Sequence, residues 1–339
     1  MVSIKDVAAH CGVSVATVSK ALNDHTDISE ATKVLVRKAA DELGYHPNSV
    51  ARALKTNRTY SLGVVYDDGS FLGLSHEYFS RVLDAFKQTA EASGYDVTFI
   101  NHNLGGRTTS YLDHCRYRGV DGVCIVCTAN FHDPQIIELA NSDIPLVAID
   151  YTFHNRTSII SDNIGGMEEL VRYVYDKGHR NLAFIHGEMT DVTENRLASF
   201  YRTCDSLGLK IPDENILEAK YHDARSTAHR TRDLLALKNR PTCIFFPDDF
   251  SYVGGMNVIQ EAGLSVPDDI SCVGYDGIYL SQVLVPKLTT FKQDTATLGS
   301  KAVRSLLEEV EHPRTWLPER ILVKGCLLEG KSVSQQQNK

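Results

Sequence analysis

Apolar runs of four to six residues recur from residue 62 onward, at 62–66, 97–100, 122–127, 146–149, 182–185, 243–246 and 272–275. They are nearly continuous rather than alternating, as strands buried on both faces must be. Helical patterns separate most of them. Gly94, Gly178, Gly208 and Gly263 stand where those helices should end, because glycine accepts the left-handed backbone of a sharp stop. Strand, helix and glycine stop in rotation predict βαβ units and a parallel sheet. Two such stretches, about 61–162 and 163–291, predict two doubly wound lobes. Ligands in such sheets bind beyond the carboxyl ends of the strands.

Residues before this pattern read differently. Residues 12–23 have the character of the second helix of a helix-turn-helix. Gly12 ends a preceding helix, and Ser14 stands where an N-cap belongs. Val18, Ala21 and Leu22 share one face with Val13, which leaves Val15, Ala16, Thr17, Ser19, Lys20 and Asn23 outward. Small side chains let a helix approach base edges, and Val15 or Ala16 can touch a thymine methyl. Thr17, Ser19, Lys20 and Asn23 suit phosphate oxygens, which position a protein without reading sequence. An amphipathic surface helix would have the same pattern, so its neighbours matter. Ser3 and Asp6 have capping-box spacing ahead of Ile4, Val7, Ala8 and Cys11. A third helix opens at Ser29, runs through Val34, Leu35, Ala39 and Leu43, and stops at Gly44. Three short helices predict a minimal helical domain over 1–46.

Ser3-Ile4-Lys5-Asp6-Val7-Ala8, the stretch 12–23, Glu42-Leu43-Gly44-Tyr45-His46-Pro47-Asn48 and Ala51-Arg52-Ala53-Leu54-Lys55 resemble, in order, the bacterial lactose-repressor (LacI/GalR) family of transcription regulators. The likeness continues to about residue 329. It implies an α/β protein with a helix-turn-helix head over 1–46, a hinge helix and linker over 47–60, and a two-lobed effector domain over 61–329. That domain looks like type I periplasmic sugar-binding proteins, whose lobes are joined by three crossovers. Lobe 1 is expected at about 61–162 and 292–320, lobe 2 at about 163–291 and 321–329, and 330–339 as a polar tail. The likeness adds Ser14, Tyr45, Asn48, Ser49, Ala51, Leu54 and Lys55 to the expected DNA contacts. A leucine like Leu54 wedges into the minor groove in this family, and such wedges kink a base step. A dimeric fold implies a pseudo-palindromic operator.

Charge is uneven. The chain carries −8 overall, yet residues 1–60 hold eight Lys or Arg against six Asp or Glu. A mildly basic head on an acidic body confines DNA contact to the head. No apolar export segment opens the chain, and no apolar run nears the roughly 20 residues of a membrane span. A cytoplasmic protein without membrane contact is expected. Eight cysteines lie mostly in apolar stretches, as reduced buried thiols do. Cys124 and Cys127 have CxxC spacing, but on a strand they point to opposite faces and cannot share a metal. His102, His114 and His186 lack ligand spacing, so no metal and no cofactor are expected.

Candidate effector contacts stand at strand ends. Asp150, Asp248 and Asp276 follow three of the runs, and Arg196 opens a helical segment. Tyr78 and Phe79 open the first helix of the first lobe. Carboxylates and arginine pair with neighbouring hydroxyls, and rings offer a flat apolar face. Asn195-Arg196-Leu197-Ala198-Ser199-Phe200 resembles the family's effector-binding arginine motif, with Ser199 where glycine is usual. Asp248-Asp249 resembles an Asn-Asp pair of the family, and Gly274-Tyr275-Asp276 its Gly-Tyr-Asp. Tyr221 and Ser161 correspond more loosely to effector-facing positions. Asp249 is expected to serve as a helix N-cap. The polar, carboxylate-rich set favours a sugar or sugar derivative.

An enzyme on a doubly wound fold is the competing class. The chain has no GxGxxG after a strand, no GxxxxGK[ST], no GxSxG and no HExxH. A transport receptor is a third class, opposed by the intact head. The reading that follows is a DNA-binding regulator, most simply a repressor, and not an enzyme. It acts as a homodimer on double-stranded operator DNA under control of a small molecule.

Overall fold

The structure is a computed structural model that describes residues 2–46, 58–67, 73–128 and 130–336. It forms two compact units that divide between Thr59 and Tyr60.

The first unit is a trio of helices, α1 (Ile4–Cys11), α2 (Val15–Leu22) and α3 (Glu30–Leu43). Gly12 at φ 64 ends α1 in the left-handed region, and Gly44 at φ 65 ends α3 in the same way. Ser3 N–H and Oγ both donate to Asp6 Oδ2 at 2.8 Å, holding the first turn. Val7, Ala8, Val18, Ala21, Val36, Ala39 and Ala40 form the core. The expected stripe on α3 holds at Ala39 and Leu43 but not at Val34 and Leu35. Val34 is 61% and Leu35 49% exposed, while Val36, Ala39, Ala40 and Leu43 face inward at helical spacing.

The second unit begins with lobe 1: β1 (Ser61–Tyr66), α4 (Glu77–Ala92), β2 (Asp96–Ile100), the small hairpin β3 (Asn103–Leu104) and β4 (Arg107–Thr108), α5 (Tyr111–Arg118), β5 (Gly122–Cys127), α6 (Pro134–Ala140), β6 (Leu146–Ile149) and β7 (Thr157–Ser161). Lobe 2 follows with α7 (Asn163–Asp176), β8 (Leu182–His186), α8 (Asp191–Ser206), β9 (Ile216–Glu218), α9 (Ala224–Leu235), β10 (Cys243–Phe245), α10 (Asp249–Glu261), β11 (Ser271–Asp276), α11 (Tyr279–Val283) and β12 (Thr289–Lys292). Then α12 (Thr295–Glu311) packs on α4, and β13 (Arg320–Val323) and β14 (Cys326–Leu328) close the chain.

Each lobe carries one six-stranded sheet, ordered β13-β7-β6-β5-β1-β2 and β14-β12-β11-β10-β8-β9. Every pairing in them is parallel except that of β12 with β14. Apolar clusters cover both faces of both sheets. That burial is why the central strands read as unbroken apolar runs.

Three connections join the lobes, at Asp162, Gln293 and Lys324–Gly325. The last corrects an expected boundary. Residues 321–323 remain in lobe 1, because β13 pairs in parallel with β7, Ile321 opposite Ile159 and Val323 opposite Ser161. The chain enters lobe 2 only at β14. Gly325 sits so near the second connection that a Cβ there would lie 2.2 Å from Lys292 O.

The expected polar tail is also more ordered than its composition suggests. Ser332 Oγ donates to Cys272 O at 2.6 Å and accepts from Thr289 N–H at 2.8 Å. Ser334 N–H donates to Ser271 Oγ at 2.9 Å, and Gln336 N–H to Lys177 O at 2.7 Å. Val333 packs on the lobe 2 core. Serines here satisfy backbone groups at strand ends, a role invisible to hydropathy.

Candidate functional site

Between the lobes lies a cavity of about 960 Å³, within the usual range of ligand pockets. Its walls are the carboxyl ends of strands from both sheets and the helix starts that follow them.

Arg196 dominates the lobe 2 side and is only 4% exposed. The second turn of α8 presents it, after Thr190 Oγ1 caps that helix at Thr193 N–H. Its Nε donates to Asn163 Oδ1 at 2.8 Å and its Nη1 to Pro247 O at 3.1 Å. The guanidinium lies 3.6 Å over the Tyr275 ring, a cation–π contact strengthened by exclusion of water. Burial works against its charge. The Tyr221 and Tyr275 phenols and the Asp276 and Asp150 carboxylates outweigh burial, so its pKa is raised.

Two carboxylates face it from corresponding places in the two lobes. Asp150 follows β6 and Asp276 ends β11, with φ of 54° and 101°. Positive φ at a non-glycine residue is strained backbone, and such strain concentrates at binding sites. Asp150 accepts from Ser161 N–H at 2.7 Å and from Tyr78 Oη at 3.0 Å. Asp276 accepts from Gln293 Nε2 at 2.7 Å. Burial raises both carboxyl pKa values, Arg196 acting in the opposite direction on each. Burial likewise raises the Tyr78 phenol, helped by Asp150 and Asp276.

Of the residues singled out from sequence, Tyr78, Phe79, Asp150, Arg196, Tyr221 and Asp276 line the cavity. Ser161 and Asp248 do not. Ser161 stands behind the wall, orienting Asp150 through its N–H. Asp248 is the N-cap of α10, accepting from Ser251 N–H and Ser251 Oγ, each at 2.7 Å. It also accepts from His222 N–H at 3.0 Å. The cap expected of Asp249 therefore belongs to Asp248. Asp249 is buried at the first helical position, accepting from Ile278 N–H at 2.9 Å and Thr290 Oγ1 at 2.6 Å. Burial is the main reason its carboxyl is raised well above its ordinary value.

Sequence reading missed Gln293, His76, His222 and the stacked pair Phe131–Tyr151, whose ring planes lie 4° from parallel. Gln293 had a usable signal. It follows β12, whose Thr-Thr-Phe-Lys run is too polar to register as a buried strand. Once that strand is recognised, the strand-end rule selects Gln293.

The head presents a separate surface. Ser14 caps α2 by accepting from Thr17 N–H at 3.0 Å, and its Oγ lies 2.9 Å from Thr17 Oγ1. Val15 and Ala16 are exposed. Ser19 O accepts from Asn23 Nδ2 at 2.7 Å, and Lys20 Nζ is bonded to Asp27. Tyr45 packs against the head core. Asn48, Ser49, Ala51, Leu54 and Lys55 lie outside the described residues.

Comparison with known proteins settles the class. The model of bacterial regulatory proteins of the lacI family matches residues 3–48. That of the periplasmic binding protein-like domain matches 171–333. The chain is 32% identical over 316 residues to the HTH-type transcriptional repressor PurR of Mannheimia succiniciproducens, covering 92% of this chain and 93% of that protein. The chain belongs to the lacI family of bacterial regulatory proteins. Its PurR relative from Vibrio parahaemolyticus is 34% identical over 318 residues, covering 92% of each. A crystal structure of the Lac repressor dimer bound to operator and the anti-inducer ONPF superposes with a TM-score of 0.82 at 27% identity, covering 98% of this chain and 99% of that one. This lacI-family member is thus a transcriptional repressor, not an enzyme, with a DNA-binding head and a domain for a small-molecule effector. No helix among the described residues is long and apolar enough to cross a membrane.

Proposed function

We propose that the chain works in the cytoplasm as a homodimer that represses transcription from a pseudo-palindromic operator. In this reading a sugar or sugar derivative in the interlobe cavity sets its grip on DNA. The observation that carries the effector reading is Arg196, buried and charged between Asp150 and Asp276. Donors and acceptors set side by side on a buried floor match a chain of neighbouring hydroxyls. Phe79, Phe131, Tyr151 and Phe250 supply apolar surface for the flat side of a sugar ring. The dimer reading is supported by the likeness to a dimeric repressor on its operator. The ligand shifts the lobes only as far as it binds one arrangement better than the other.

Thermal-shift measurement with parallel panels of sugars and nucleobases tests the ligand class. A ligand specific for the native state raises the melting temperature. A shift from a nucleobase and none from any sugar overturns the sugar reading. Gel shifts with the upstream region of the protein's own operon test operator binding. A steep fall in affinity with salt is expected, as phosphate contacts release counterions.

A further inference from the structure

The head of a DNA-binding protein is expected to offer free cations to phosphate. This head does the opposite. Of the five Lys and Arg among residues 2–46, four are already ion-paired. Lys20, on the outward side of α2, is bonded to Asp27, and Arg37 is bonded to Asp24. Lys33 lies 2.7 Å from Glu30 and 3.7 Å from Asp24, and Lys38 lies 3.8 Å from Glu42. Asp24 follows the carboxyl end of α2, the negative pole of that helix, where a carboxylate is electrostatically unwelcome. Its backbone is also left-handed, at φ 55°. Aspartate tolerates that backbone better than most residues, and its cationic partners offset the unfavourable helix pole.

We propose that Asp24 and Asp27 are specificity-determining residues. Their carboxylates occupy the phosphate-seeking cations of the head and so suppress its binding to DNA of arbitrary sequence. Affinity for random duplex comes almost wholly from cations that neutralise phosphates. Exposed pairs like these are weak. A correctly docked operator therefore displaces them at small cost, while a passing random duplex gains little from doing so. The inference rests on the DNA-binding reading of the head and adds a discriminating role that hydrogen-bonded base contacts do not supply.

Full-length chain and its Asp24→Asn, Asp27→Asn and double variants are titrated with two probes across about 50–300 mM potassium chloride. One is a random-sequence duplex of about 40 base pairs; the other is the duplex that the natural chain selects from a randomised pool. Asp27→Asn should tighten the random duplex about three- to fivefold at low salt. It should also steepen log K against log salt by about 0.9. The selected duplex should gain less, so selectivity falls, further in the double variant, while Asp27→Glu behaves as the natural chain. Lys20→Gln provides a check that leaves both aspartates in place. Because Lys20 is already neutralised, its loss should barely weaken random-duplex binding in the natural background, and weaken it clearly beside Asp27→Asn. Additive effects of those two changes, or equal random-duplex binding by the natural chain and a folded double variant at every salt, overturn the proposal. If the natural chain does not prefer its selected duplex over the random one, the operator reading fails instead.

Discussion

The imidazoles of His76 and His222 meet across the cavity with ring centroids 3.6 Å apart, one from each lobe. His76 precedes α4 in lobe 1. His222 lies before α9 in lobe 2 and sits 3.4 Å from Asp248. The lobes thus touch through a side chain whose charge is set by a buried carboxylate.

That arrangement fixes a pH dependence. Burial works to lower the His222 pKa, but the Asp248 carboxylate outweighs it and holds it above the ordinary 6.5. The folded chain then binds this proton more tightly than the unfolded chain. Its stabilisation is full below about pH 6.5 and is lost as pH rises through the raised value. Asp248 has the opposite sign. Burial would raise it, but His222 and its hydrogen bonds hold it well below 3.8, so its share is present above that value and is lost in acid. His222→Gln should cost about 3 kcal/mol at pH 6, with the gap to the natural chain narrowing above pH 8. Urea melts at both pH values measure this; an equal gap at each means that the pair carries no charge.

Arg196→Lys keeps the charge but loses the planar stack on Tyr275 and the forked bonding to Asn163 and Pro247. Effector affinity should fall about ten- to a hundredfold, the scale of a lost charged hydrogen bond. Operator binding without effector should persist. Calorimetric titration beside a gel shift separates the two readouts.

Gln293→Leu removes the amide that bonds Asp276 Oδ1. With its acceptor left unmatched in a buried site, Asp276 should take up a proton more readily. Effector affinity should drop about tenfold, more steeply at low pH than at high pH. A drop of the same size at every pH would argue that Gln293 only fills space.

The tail can be tested by truncation after Gly330. His179 Nε2 donates to Ser334 O at 3.1 Å, and Nδ1 lies 2.9 Å from Thr242 Oγ1. Burial lowers the pKa of this histidine below 6.5. Unfolded chain therefore takes the proton first, and stability is lost as pH falls below about 6.5. Removing 331–339 should lower the melting temperature at neutral pH and flatten that acid loss, because the ring becomes wetter. Differential scanning calorimetry from pH 7 to pH 5 follows both effects.

Ser14→Ala deletes the cap of α2 and should cost the head about 1 kcal/mol, with weaker DNA binding in proportion to the head that has frayed. Circular dichroism during heating reports the first effect and gel shift the second.

How much of this was readable beforehand depended on burial. Six of the seven runs announced themselves because both faces of their strands are covered, leaving no polar alternation to interrupt Leu62 to Tyr66 or Cys272 to Tyr275; the seventh lies on the edge strand β2, where Phe99 is 44% exposed. The remaining strands at or near the sheet margins did not. Thr157–Ser161 and Thr289–Lys292 use threonine and serine to bond backbone ends, and Arg320–Val323 leaves Leu322 exposed. The site divided in the same way. Asp150 and Asp276 were visible because each terminates a conspicuous strand. Asp248 has the same local sequence signature, yet its oxygens are consumed by Ser251 and His222, contacts that only folding reveals. His76 and His222 are 146 positions apart in the sequence, and no local pattern relates them.

Gln293 stands on the second of the three connections between lobes, bonded to a carboxylate of the cavity floor, with Gly325 of the third connection pressed against the neighbouring Lys292. On the proposed reading, a molecule held by Asp276 would lean on the strap that bends if the halves rock. Detection and movement would then share one segment of backbone, and altering what this repressor senses without altering how far it moves would require changes placed elsewhere in the cleft.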